Sequence, residues 1–381
     1  MKIANQRHLF DMPRDVAYLN CGYMSPMMHA VKQAGTLGLA RKAQPWTIFA
    51  PDFFSGSDAL REAFADLVGA TGDDIAIIPA ASYGISVAAM NLPLSAGQTV
   101  LAAVEQFPSN VYPWRERAAE VGARVVLLDR PADGNWARAV IEAMDKTTAI
   151  VALPHCHWTD GGYFDLEAIG SECRERGASL ALDVTQSAGA LPIDVKRVQP
   201  DFMAAATYKW LMGPYSMGLL YVSERWQKEG KHFEHNWIHR KNARNFARLV
   251  DYQDGFEPGA RRFDVGERSN FALVPAAERG IRQLLEWGVD NISETISAMT
   301  EAIVEKTRSL GLRSVPRDQR AGHYLGLALP ENAPSDLPAE LAKRDVFVSV
   351  RGPSIRITPH LYNDDTDIDR LVQALGDVLK A

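Results

Sequence analysis

The middle of this 381-residue chain alternates short apolar runs with amphipathic stretches, and that alternation constrains the fold more than any other feature. Ile75–Ile78 and Thr99–Val104 read as strands, and Pro113–Val121 as a helix. Arg124–Leu128 is again strand-like and is followed by a helical Ala137–Met144, a strand at Ala149–Leu153, a helix at Leu166–Arg176 and a strand at Ser179–Val184. Phe202–Ala206 and Gly218–Val222 complete the series. Short apolar strands separated by helices predict a mainly parallel sheet covered on both faces, since a helical crossover is what lets successive strands run the same way.

From about Phe263 the texture changes. Helical stretches at Ala276–Trp287 and Ile292–Leu310 precede a strand-like Tyr324–Leu329, a helix at Leu337–Arg344, strands at Phe347–Val350 and Ile355–Thr358, and a closing helix at Asp365–Leu379. The chain is too long for one small core. The expected organisation is an N-terminal arm over 1–15, a large α/β domain over 16–262 and a smaller C-terminal α+β domain over 263–381, with Gly255–Gly259 as the hinge region.

Composition narrows the partners. A net charge of −6, spread along the chain, points to neither nucleic acid nor an anionic membrane. No apolar run approaches the roughly 18 residues that span a bilayer, and Met1–Pro13 lacks the apolar stretch of a secretion signal. The cysteines, Cys21, Cys156 and Cys173, are odd in number and widely spaced, so a disulfide framework is not expected and a reducing cytoplasm is the expected location.

In open α/β sheets ligands sit beyond the carboxyl ends of the strands, so residues just after strands carry the most information. Asp183 ends one apolar run and Lys209 follows another. A buried charge at a strand end needs a partner, which an internal ion pair would supply as well as a ligand. Pyridoxal 5'-phosphate (PLP) needs this pair of residue types: a lysine amine to form the imine, and a carboxylate to keep the pyridine nitrogen protonated so that the ring accepts electrons. Ser82 and Tyr83 open a helical stretch after Ile75–Ile78, where free N–H groups suit a phosphate or an ordinary serine cap. Phe107 is either a core residue or a face for a planar, electron-poor ring. His155, His157 and Asp160, and again His232, His235 and His239 at one-face helical spacing, invite a metal reading, but a solvated or interface helix face and the cofactor reading weigh more, and no metal is expected. No glycine-rich nucleotide-binding run follows any strand.

Ala206-Thr207-Tyr208-Lys209-Trp210-Leu211-Met212-Gly213-Pro214-Tyr215, with Leu182-Asp183-Val184-Thr185-Gln186-Ser187 upstream, resembles the class V aminotransferase family of PLP fold-type I enzymes, which includes cysteine desulfurases, kynureninase and isopenicillin N epimerase. The resemblance runs from Tyr18-Leu19-Asn20 to Leu361-Tyr362-Asn363. It implies PLP held as a Schiff base on Lys209 beside Tyr208, with Asp183 on the pyridine nitrogen and Gln186 at the ring hydroxyl. It implies Ser82 and Tyr83 at the phosphate, Phe107 stacked on the ring and Trp158 near the substrate. Arg356 matches the arginine that clamps the substrate α-carboxylate. Trp237 and the pair Ser269-Asn270 match positions that reach the phosphate of a partner subunit, which implies a homodimer with shared active sites. The sequence departs from the desulfurase pattern at Gly266-Glu267, where those enzymes have Gly-Thr.

The cofactor does not fix the reaction. Desulfurases of the family carry a reactive cysteine shortly before the carboxylate-binding arginine, and Arg351–Ile355 contains none. Phe107, Trp158, Trp237, Ser269-Asn270 and Arg356 fit the kynureninase pattern, while Gln186 and Asn110 depart from it. The expectation is an aminotransferase-, epimerase- or lyase-type enzyme acting on an amino acid. The alternatives are a kynureninase-like C–C hydrolase, a desulfurase, and a non-catalytic scaffold of the same fold.

Overall fold

The computed structural model describes residues 1–380. Seven strands form the main sheet: β1 (Ile75–Ile78), β2 (Thr99–Ala103), β3 (Arg124–Leu128), β4 (Thr148–Pro154), β5 (Ser179–Asp183), β6 (Phe202–Ala206) and β7 (Gly218–Val222). Their spatial order is β1-β7-β6-β5-β4-β2-β3. Pairing from β3 through to β6 is parallel, and β7 runs against both β6 and β1. The reason is local: the connection 207–217 contains no helix, so the chain turns back beside β6 without a crossover.

Alternate strand residues feed two cores. Leu101, Val151, Leu182, Met203 and Leu219 face one core, with Phe64, Trp210 and Leu284. Val100, Ile150, Ala181, Phe202 and Leu220 face the other, with Ile85 and Trp114. Both faces are covered, as unbroken apolar strands require.

Two helices were not legible before the sheet: α1 (His29–Ala40) and α2 (Asp52–Val68). α2 buries Phe54, Leu60, Phe64 and Val68 and stops at Gly69, whose φ of 75° is the left-handed turn that glycine adopts without steric cost. The helix α3 (Ala81–Asn91) follows β1, and α4 (Leu273–Trp287) packs on α1 and α2. Although α4 lies beyond residue 263, its Val274, Ile281 and Leu284 belong to the main core.

A separate core holds Ile303, Leu325, Leu341, Ile355 and Leu371, and also Ala17 and Leu19. The N-terminal segment enters it because Ala17–Tyr18 pairs in parallel with Val346–Phe347. Over this core lies an antiparallel sheet of β8 (Arg313–Ser314), β9 (Leu325–Ala328), β10 (Ser349–Arg351) and β11 (Ser354–Ile357), ordered β10-β11-β9-β8. The strand expected over Phe347–Val350 is broken at Val348, and its two parts pair in different sheets.

Within Gly255–Gly259, a side chain at Gly259 (φ 71°) would meet the Asp73 carbonyl oxygen at 2.2 Å. One local expectation is corrected. His232, His235 and His239 do not share a helix face, because 231–240 is irregular. Instead the ring of His232 meets those of His235, His239 and Phe256. Among the described residues no helix is long and apolar enough to cross a membrane.

Candidate active site

The loops that leave β1, β2, β4, β5 and β6 converge at one edge of the sheet around a cavity of about 240 Å³. Of the residues singled out in the sequence, Ser82, Phe107, Trp158, Asp183, Gln186, Tyr208 and Lys209 all line it. Cys156 and Thr185 line it too.

Lys209 is 6% exposed, and its side-chain amine makes no hydrogen bond or ion pair with any described residue. Its ammonium lies 5.4 Å from the centre of the Phe107 ring and 5.3 Å from that of Tyr208. Burial pushes its pKa down to about 8; Asp183 works against that shift, and Arg356 and Arg351 add to it. Asp183 is also buried. Its Oδ1 accepts the Thr185 backbone N–H at 3.0 Å and makes no further hydrogen bond. Burial raises its pKa, with the Thr185 bonds and Lys209 opposing. Thr185 in turn accepts the Ala206 N–H at 3.1 Å through its hydroxyl, so the end of β5 is tied to the end of β6.

Gln186 is held at both ends of its amide. Its Nε2 donates to the Gly22 carbonyl at 3.0 Å, and its Oε1 accepts the Trp210 indole N–H at 3.1 Å. One amide hydrogen is left for a ligand. The Gln186 carbonyl accepts from His323 Nε2 at 2.7 Å. Trp210, the residue next to Lys209, is therefore tied directly to Gln186, a link the sequence motif did not reveal.

Ala80 precedes α3 in an extended conformation and offers no side-chain cap. The Ala81 and Ser82 N–H groups have no partner among the described residues, and Ala81 and Ser82 border the cavity. Tyr83, one residue on, turns away: its ring meets Phe233 edge-on at 5.2 Å, and burial pushes its hydroxyl up to about 12.

Trp158 stands in a turn closed by the Gly161 N–H on the His157 carbonyl. Gly161 (φ 83°) is required there, because a Cβ would meet the Tyr324 carbonyl oxygen at 2.5 Å. The Trp158 indole N–H donates to the Glu105 carbonyl at 2.6 Å, and its ring meets Phe107 edge-on at 5.3 Å. Glu105 and Ser216 have positive φ beside the cavity, backbone strain of the kind that clusters at functional sites. His155 and His157 are buried scaffolding: burial holds His155 down to about 3, and His157 Nε2 donates to the Val104 carbonyl at 3.0 Å.

Arg356 lies beyond Trp158 and is 2% exposed. Its Nη1 and Nη2 make long contacts, each 3.4 Å, to the Trp158 carbonyl and Ser349 hydroxyl. Its Nε has no partner, and it forms no ion pair among the described residues. A buried guanidinium without a counter-ion is costly unless an anion arrives. Trp237, Ser269 and Asn270 do not line the cavity. Trp237 packs against Phe53, Phe54 and Phe246, Asn270 caps the start of α4 through the Leu273 N–H at 2.9 Å, and Ser269 lies in an outer groove beside α1 and α2.

These residues fit PLP on physical grounds. A buried amine and a buried carboxylate face one cavity unpaired, a free amide hydrogen and an aromatic ring flank them, and a helix N-terminus lies open at the rim. Fold and site together define a PLP-dependent enzyme of fold-type I. More narrowly, the model of the family "Aminotransferase class-V" matches residues 49–371, and the chain belongs to that family. A probable cysteine desulfurase of Methanothermobacter thermautotrophicus is 32% identical, over 84% of this chain and 82% of the relative. A kynureninase of Burkholderia mallei is 26% identical, over 99% of this chain and 92% of the relative. Among solved structures, a C-DES variant with glycine covalently linked to its PLP superposes with a TM-score of 0.88 at 20% identity, covering 98% of this chain and 99% of that one.

Proposed function

We propose that the cavity is the place where this PLP-dependent enzyme transforms an amino acid, with Lys209 as both cofactor anchor and proton carrier. The observation that carries this reading is the unpaired, buried Lys209 amine facing Asp183 across one cavity. When bound, PLP supplies an electron sink for charge that develops at the substrate α-carbon. Asp183 would hold a proton on the ring nitrogen, Gln186 would donate its free amide hydrogen to the ring hydroxyl, and Phe107 would cover the ring. Ser82 and the open N–H groups of α3 would receive the phosphate. Arg356 binds the substrate α-carboxylate and orients the α-carbon, which decides which bond stands in line to break. Once released, the Lys209 amine moves a proton at that carbon, and a pKa near 8 leaves about a tenth of it neutral at pH 7. Trp158 excludes water on the substrate side.

The reaction is of the aminotransferase, epimerase or lyase type. A kynureninase-like C–C hydrolysis is the second reading, favoured by a likeness to kynureninase that spans 99% of this chain. Desulfuration has less support: Cys21, Cys156 and Cys173 are all buried, and the hairpin before Arg356 has no cysteine. The test is to incubate the PLP-loaded protein with single amino acids, kynurenine included, and identify products by chiral chromatography coupled to mass spectrometry. A keto acid, an inverted stereocentre or an eliminated side chain supports the first reading, and cleaved kynurenine supports the second. No product from any amino acid contradicts both.

The active unit is proposed to be a homodimer in which Trp237, Ser269 and Asn270 complete the partner's phosphate site. Their position outside the chain's own cavity supports this, as do the exposed Leu37, Leu39, Trp46 and Phe49 on and after α1. Light scattering that returns a monomer still binding PLP tightly contradicts it.

A further inference from the structure

The β10–β11 hairpin brings a second arginine against Trp158, in the wall of the cavity. Its register sets Ser349 opposite Arg356 and Arg351 opposite Ser354. Alternate residues of a strand share a face, so Arg351 projects from the same face as Ser349 and Arg356. The Arg351 guanidinium carbon lies 5.6 Å from the centre of the Trp158 ring, and Arg356 Nη1 reaches the Trp158 carbonyl at 3.4 Å. Both guanidiniums therefore stand against the residue that walls the cavity.

Neither arginine has an acidic partner among the described residues. Apart from the Val350 carbonyl, 2.7 Å from Nη1, the Arg351 guanidinium makes no hydrogen bond with a described residue. Asp183 is the one acidic residue that lines the cavity, and it lies at the strand-end side, bonded to Thr185. A substrate α-carboxylate offsets the charge of Arg356 and leaves that of Arg351 uncompensated. Burial and the like charge of Arg356 hold the Arg351 pKa below its usual range, so an arriving anion is favoured there. The planar fork of a guanidinium suits a two-oxygen group, and the indole beneath keeps it in place.

We propose that Arg351 receives an oxyanion at the end of the substrate side chain, so that the enzyme acts on amino acids bearing a side-chain carboxylate or sulfinate. This deepens the amino-acid reading of the cavity and rests on it.

The test titrates the PLP-loaded protein with L-aspartate, L-glutamate, L-cysteine sulfinate, L-asparagine and L-glutamine, following the visible spectrum for a dissociation constant. The parent is expected to bind at least one acid about tenfold or more tightly than the amides. Preference for cysteine sulfinate over both dicarboxylates assigns a sulfinate, and the reverse a carboxylate. Arg351→Gln is expected to cut the acid-over-amide ratio about tenfold, and Arg351→Lys to restore part of it, since the charge returns without the fork. A parent with no preference for acids overturns the proposal. So does an Arg351→Gln protein in which acids and amides weaken by the same factor, which assigns Arg351 to the α-carboxylate. A spectrum unmoved by every amino acid overturns the amino-acid reading, and this proposal with it.

Discussion

The ammonium of Lys209 lies 5.4 Å from the centre of the Phe107 ring, although their strands, β6 and β2, are separated in the sheet by β5 and β4. The parallel arrangement makes this possible: five strands release their loops at one edge, and the residues after them meet over a single cavity. Residues 102 positions apart in sequence thus become two sides of one site.

The Lys209 amine should capture the cofactor in a pH-dependent way. Burial pushes its pKa down to about 8, and only the neutral amine is nucleophilic. The rate at which cofactor-free protein takes up PLP should therefore rise with pH through about 8 and level off above, growing about tenfold between pH 7 and pH 9. Stopped-flow absorbance measures it, and a midpoint near that of an ordinary lysine contradicts the assignment.

Asp183→Asn should separate function from stability. Burial raises the Asp183 pKa above its unfolded value, so its contribution to stability is fully present at low pH and is lost as pH rises through the folded value. At neutral pH the cofactor-free variant should melt higher than the parent by calorimetry. Turnover should fall about a hundredfold or more, because the ring nitrogen loses its counter-charge.

Arg356→Gln should weaken amino-acid binding while leaving the cofactor in place. Loss of a charge-assisted contact to a carboxylate raises the dissociation constant about 10- to 100-fold. Spectral titration of PLP-loaded protein with L-alanine reads this shift, and unchanged affinity would assign the α-carboxylate elsewhere.

Asp264 is a purely structural test. It accepts the Ile77 N–H at 2.8 Å and faces both Arg61 and Arg268, all fully buried. Asp264→Ala strands the Arg268 guanidinium in the interior and leaves Arg61 only the Ile75 carbonyl and the more distant Asp58, and urea denaturation should show a loss of about 3–5 kcal/mol.

The strands β1, β6 and β7 were legible to the residue because they are buried along most of their length and carry few polar interruptions; β3, a half-buried edge strand, was legible from its unbroken run of Val and Leu. α1 was not legible, since only Val31 and Gly38 are buried in it, and in α2 Ser55, Gly56 and Ser57 blur the apolar stripe. At the site, Lys209 and Asp183 could be singled out because a strand end fixes where a residue sits, whereas Gln186 and Phe107 were singled out through the family resemblance; all four line the cavity. Ser82 and Tyr83 were indistinguishable in sequence, yet one helical step of rotation puts only Ser82 on the cavity. Arg351 carried no signal until the hairpin register placed it beside Arg356, and Trp210 none until its indole was seen on Gln186.

The most direct test of the central claim is to load the protein with PLP, reduce it with borohydride, digest it and locate the pyridoxyl adduct by mass spectrometry. The adduct is predicted on the peptide containing Lys209, and it should be absent, together with the visible absorption band, from Lys209→Ala. An adduct on another lysine, or a band that survives in the variant, contradicts the assignment of Lys209 as the anchor.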